Sequence, residues 1–135
     1  MNEDVRWKQR LDNFSKAVKL FQEVQSLDLN SVSQLEKEGI IQRFEYTLEL
    51  GWKTLKDKME FDGLLIDRIS PKIVIKEAFQ AKYIDQIDLW LEMINDRNLL
   101  GHSYDLKTFE AVIPDIKKKY SPLLMATCNK MKELL

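Results

Sequence analysis

Four glycines and three prolines punctuate this 135-residue chain, and between them apolar residues recur three and four positions apart. That spacing puts apolar side chains on one stripe of an α-helix, where a strand would need alternation. With so few residues that turn a backbone sharply, the chain is expected to be all-α throughout.

A first helix is expected from about Asp4 to Ser26, with Trp7, Leu11, Phe14, Val18, Phe21 and then Val24 or Gln25 on its apolar stripe. Leu27 to Asn30 reads as a loop. Ser33 and Glu36 have the spacing of a capping box, opening a second helix from Gln34 to Phe61, roughly 40 Å long at ~1.5 Å per residue. Its stripe is Ile41, Phe44, Leu48, Trp52, Leu55 and Met59, and Gly63 stops it. Ser70-Pro71 is an N-cap followed by proline at the first helical position, opening a shorter helix to about Lys82. Asp85 is placed to cap the next, which carries Ile87, Trp90, Leu91, Ile94 and Arg97 and is expected to end at Gly101. A last helical region starts near Thr108, with a kink or break expected at Ser121-Pro122. Short connections favour antiparallel neighbours. The expected fold is one domain over residues 1–135, an up-and-down four-helix bundle with an additional short helix.

Composition narrows the chemistry. The formal net charge is −1, so the whole chain is no basic nucleic-acid binder, and any such contact needs a local patch or two chains together. The run Lys117 to Lys119 reads as a solvated helix face. One cysteine, Cys128, and one histidine, His102, are too few for a cysteine–histidine zinc site, and no metal site is expected. Cys128 reads as a buried structural thiol, and the lack of a cysteine pair suits a reducing compartment. No glycine-rich phosphate loop can be written, so no cofactor is expected and ATP binding by this chain alone is not. Met1 to Arg10 is charged with no apolar run, which reads against a secretory leader. No stretch approaches the ~18 apolar residues of a membrane span. A soluble, cytoplasmic protein is the expectation.

Two segments carry more than patterning. The first is Gln42 to Lys56, where Gln42, Glu45, Glu49, Lys53 and Lys56 share one helical face and Phe44, Leu48, Trp52 and Leu55 another. Its plain reading is an amphipathic helix with a Glu49–Lys53 i,i+4 pair. Gly39 and Gly51 each cost ~1 kcal/mol against alanine inside a helix, so close packing is expected at both. The second is Asp96 to Asp105, which crowds Arg97, Asn98, His102 and Tyr104 with two carboxylates at a helix end. Arg97 and His102 lie about 140° apart on a regular helix, so they converge only if the helix ends between them. An imidazole that titrates near neutrality beside a guanidinium that forks onto phosphate is what metal-free phosphodiester chemistry requires. The same residues also read as a helix-end hydrogen-bond cluster, with Arg97 paired to Asp96 or Asp105. On chemistry alone both readings stay open.

The arrangement Asp96-Arg97-Asn98, then His102, Tyr104 and Asp105, resembles the Arg, four residues, His, one residue, Tyr motif of HepT-type members of the HEPN superfamily. Arg43-Phe44-Glu45-Tyr46-Thr47, with Glu49, Leu50, Trp52, Lys53, Leu55 and Lys56, is similar to a signature of the nucleotidyltransferase substrate-binding protein family. So are Ser70-Pro71, Glu77-Ala78-Phe79 and Trp90-Leu91 with Met93. The resemblance implies a helical bundle that dimerises, and a separate minimal nucleotidyltransferase as partner. It implies a ribonuclease toxin silenced by that antitoxin, with Arg97 and His102 catalytic, Asn98 supporting, and Tyr104 the phenol that accepts AMP. A non-catalytic subunit that presents substrate to the nucleotidyltransferase is the alternative within the same family. Cleavage of RNA by attack of a 2′-hydroxyl benefits from one base and one acid, yet each chain has one histidine. A homodimer contact near Arg97 to Tyr104 would supply the second copy.

Overall fold

The computed structural model describes residues 2–102, the last by its backbone alone, and 105–135. Every regular element among them is helical. Helix α1 runs over Glu3–Phe21, and Asn2 Oδ1 accepts from the Val5 N–H at 2.8 Å to cap it. It continues as a 3₁₀ turn over Gln22–Ser26. That tightening to three residues per turn decides between the two candidate stripe positions: Val24, three after Phe21, is buried and Gln25 is exposed.

Helix α2, Gln34–Phe61, opens on the expected capping box: Glu36 N–H donates to Ser33 Oγ, and Ser33 N–H to Glu36 Oε1. All six residues of its stripe are buried. It ends at Gly63, whose φ of 93° is open to glycine. Helix α3, Pro71–Gln80, is capped by Ser70 and stops before Lys82, which takes a left-handed φ of 66°. Helix α4 spans Ile87–His102. Its first bond runs from Trp90 N–H to the Gln86 carbonyl, so Gln86 takes the N-cap position expected of Asp85. Helix α5, Leu106–Asp115, is capped by Asp105, two residues before the expected start. A single π-turn over Ile116–Tyr120 joins it to α6, Ser121–Lys132. The break expected at Ser121-Pro122 is this π-turn. Ser121 N–H reaches back five residues to the Ile116 carbonyl, and the wider turn relieves the clash that Pro122 would make in a regular helix.

Taking α5 and α6 as one rod, four long helices run up and down, with α3 as the additional short helix. Helix α2 packs along α1 and also meets α3, α5 and α6, so it forms the spine. Its Phe44 stacks on Tyr120 with ring centroids 5.6 Å apart. Cys128 is buried in α6, as expected. Lys117 is not part of a solvated face: its Nζ donates to the Leu27 carbonyl and ties the loop to the π-turn. Asp57, its side chain fully buried on α2, accepts from Arg10 Nε at 2.9 Å. Lys56 Nζ stands 3.3 Å from the other carboxylate oxygen, within ion-pair range but not aligned to hydrogen-bond it.

The two helical glycines behave differently. A Cβ on Gly51 would sit 3.1 Å from Phe14 Cζ and 3.4 Å from Leu124 Cδ2, so glycine there lets α1 and α6 close on α2. A Cβ on Gly39 would meet nothing within 4 Å, which overturns the close packing expected there. Gly39→Ala should therefore raise stability by about 0.5–1 kcal/mol through helix propensity. Gly51→Ala should lower it by about 1 kcal/mol, because overpacking a filled core outweighs that gain. Urea unfolding of the two variants checks the opposite signs.

Candidate functional site

The last two turns of α4 carry Arg97 and Asn98, and the described contacts clamp them from both sides. On one side Asp96 accepts a short hydrogen bond from Tyr120 Oη. Tyr120 is fully buried, so this bond fixes the rotation of α4 against the π-turn. Burial and the Asp96 carboxylate push the Tyr120 phenol far above its ordinary pKa, so it remains a hydrogen-bond donor. On the other side Arg97 Nη2 lies 3.8 Å from Glu49 Oε2 on α2. Asp96 is thus committed to Tyr120, and the Arg97–Asp96 pairing of the helix-end reading is replaced by Arg97–Glu49.

Glu49 is held in place. It accepts from Trp52 Nε1 at 2.9 Å, and the expected i,i+4 pair with Lys53 is present at 3.0 Å. Burial raises its carboxyl pKa, but the Trp52 and Lys53 hydrogen bonds, with the charges of Lys53 and Arg97, outweigh that and leave it below the ordinary value. The Arg97 contact is long, and both side chains are about one third exposed. A pair of this kind contributes under ~1 kcal/mol, so the guanidinium can exchange Glu49 for another anion at small cost.

Between α2, α4 and the start of α5 lies a cleft of about 660 Å³. Ile41, Leu100 and Phe109 line it with apolar surface, and Arg97 is its one cationic lining residue among those described. Glu38, Gln42, Glu45, Tyr46 and Glu49 line the α2 wall. Most of the helical face that pattern assigned to solvent is therefore a cleft wall. Tyr46, in the middle of α2, is 36% exposed and opens into the cleft.

The expected stop at Gly101 is not seen. The backbone stays helical through Gly101 to His102, and among the described residues only Gly63 and Lys82 take positive φ. A glycine is tolerated in a final turn where no left-handed residue is required. Arg97 and His102 consequently share one continuous helix, and the convergence expected from a helix end between them does not come from Gly101. The side chain of His102, with Ser103 and Tyr104, lies outside the described residues. Asn98 is exposed. Asp105 caps α5 by accepting from the Lys107 N–H at 3.1 Å. No group of three or more His, Cys, Asp or Glu among the described residues is placed to hold a metal ion, and no described helix is long and apolar enough to cross a membrane.

Two contacts were missed from the sequence, Arg97–Glu49 and Asp96–Tyr120. Glu49 had a signal, since it shares a face with Gln42 and Glu45. Tyr120 had none.

A family model described as nucleotidyltransferase substrate binding protein like matches residues 9–133. A curated protein named "Probable ribonuclease HepT", from Haemophilus influenzae, is 31% identical over 81 residues, 58% of this chain and 56% of that protein. The chain thus matches little more than half the length of that relative. A crystal structure of a protein from Thermus thermophilus superposes with a TM-score of 0.75 at 31% identity, covering 87% of this chain and 97% of the other.

Proposed function

The chain belongs to the family of nucleotidyltransferase substrate binding protein like proteins, and on that premise we propose that it is the HepT-like helical partner of a separate minimal nucleotidyltransferase, acting in the cytoplasm as a metal-independent endoribonuclease toxin. The observation that carries this reading is Arg97, a half-exposed guanidinium at a cleft, restrained by one weak ionic contact. In the proposed reaction Arg97 forks onto the scissile phosphate and stabilises the charge that develops there. The His102 imidazole takes the proton of the attacking 2′-hydroxyl, or gives one to the 5′-oxygen as its bond to phosphorus breaks. Asn98, exposed one residue on, donates its amide to the same phosphate. A homodimer brings two copies of this pair to one substrate, one histidine as base and the other as acid. The experiment is incubation of purified protein with RNA beside Arg97 and His102 variants.

One observation favours a second reading. Glu38, Glu45 and Glu49 line the same cleft as Arg97 with negative charge, which suits a non-catalytic subunit that presents substrate to the nucleotidyltransferase. In that case the protein binds its partner and leaves RNA intact.

The ribonuclease reading places control at Tyr104. Transfer of AMP from ATP to its phenol, with release of pyrophosphate, would add a phosphodiester charge and a nucleoside, blocking the cleft by occupancy and engaging Arg97 by charge. Incubation with the partner, ATP and Mg²⁺ should add the mass of AMP to the wild-type chain. Tyr104→Phe should add none and Tyr46→Phe should add it as before. An addition that persists in Tyr104→Phe removes this switch.

A further inference from the structure

Resting on the ribonuclease reading, we infer that the cleft beside Arg97 is a nucleobase pocket selective for guanine, with Tyr46 as its stacking face and Glu45 as its reader. Glu45 is half-buried on the cleft wall and has neither an ion-pair nor a hydrogen-bond partner among the described residues. A carboxylate in that position calls for N–H donors. It is set apart from Glu49, which Trp52, Lys53 and Arg97 already occupy. Next to it on α2, Tyr46 offers an exposed aromatic face of the kind on which unstacked bases lie. Ile41 and Leu100 supply an apolar floor against which a flat ring loses little.

Charge sets the direction of the nucleotide. The carboxylates repel phosphate from the base end, and Arg97 takes it at the other. The base then enters toward Glu45 with its phosphate left at the guanidinium. Guanine presents N1–H and the N2 amino group side by side, two donors that match both oxygens of one carboxylate. Adenine and cytosine offer one amino group beside a ring nitrogen that repels the carboxylate, and uracil offers one N–H between two carbonyls. The pocket should therefore rank guanine first and uracil last.

Guanosine 3′-monophosphate and uridine 3′-monophosphate are the probes, titrated separately by calorimetry against wild type, Glu45→Gln and Tyr46→Ala. Wild type should bind the guanine nucleotide about tenfold more tightly, in the range of one bidentate base contact. Glu45→Gln should abolish that preference, weakening the guanine nucleotide and relieving the repulsion of uracil. Tyr46→Ala should weaken both nucleotides about tenfold through loss of stacking. Thermal melts of the variants matching wild type exclude misfolding as the cause. Equal binding of the two nucleotides by wild type, or a preference retained in Glu45→Gln, overturns the pocket. RNA cleavage is scored in parallel with unmodified oligonucleotides. Cleavage without base preference keeps the nuclease and sinks the pocket, whereas guanine-selective binding without cleavage keeps the pocket and sinks the nuclease.

Discussion

Substituting His102 by alanine is expected to reduce RNA cleavage by about 10²–10⁴-fold, the usual contribution of a positioned acid or base. Arg97→Ala should cost about 10²–10³-fold, as loss of one donor to a developing oxyanion does elsewhere. Arg97→Lys should restore little, because a point charge replaces a planar fork. Stability offers the control. Arg97 is half-exposed and its single described ion pair is long, so Arg97→Ala should melt within a few degrees of wild type. Cleavage assays on both variants at matched protein concentration decide the matter. Wild-type rates in both would leave the non-catalytic subunit as the surviving reading, and collapse of the Arg97→Ala fold would make the cluster structural.

A second large effect should come from the opposite end of α2. Arg10→Ala leaves the Asp57 carboxylate buried with only the poorly aligned Lys56 beside it. Removing one partner of a buried ion pair typically costs 3–5 kcal/mol. Because Arg10 is itself 30% exposed, about 3 kcal/mol is expected, at the lower end of that range. In a domain of this size that lowers Tm by about 10 °C. The double variant Arg10→Met with Asp57→Leu should recover most of the loss, since no charge then remains unpaired in the core. Calorimetric melts of the single and double variants test both statements. A single variant within 2 °C of wild type, a threshold below ~1 kcal/mol, would mean that Asp57 is solvated by rearrangement.

Local chemistry in the sequence was enough for the boundaries of α2, because a Ser-to-Glu capping box and a glycine with positive φ are written in single residues. The apolar stripes of α1 and α2 were equally readable, since period alone says which face turns inward. Period does not say what a face meets. Glu49 and Arg97 sit on different helices, and their approach depends on how α4 rolls against α2. That roll is tied to Tyr120, whose position depends on a π-turn with no sequence signature of its own. Gly39 and Gly51 look alike in the sequence, and only the neighbouring helices distinguish a required glycine from a dispensable one. Gly101 shows the same limit from the other side, since a residue able to end a helix does not have to. For the candidate site, then, residue types and the Glu49–Lys53 pair within α2 were legible, and the pairings between elements were not.

Cys128 gives the bundle an internal clock. It is the chain's single thiol and is 1% exposed in α6. Burial pushes its thiol pKa up, beyond what the Lys132 charge and a Ser15 hydrogen bond recover. An alkylating reagent in solution meets this sulfur as a neutral, covered group, and the reaction must wait until α6 lifts from α1. The labelling rate under native conditions, divided by the rate for the same thiol in the unfolded chain, is then the opening constant of that one helix. No second cysteine blurs the signal, so intact mass against time reads the free energy of α6 departure without any engineered probe.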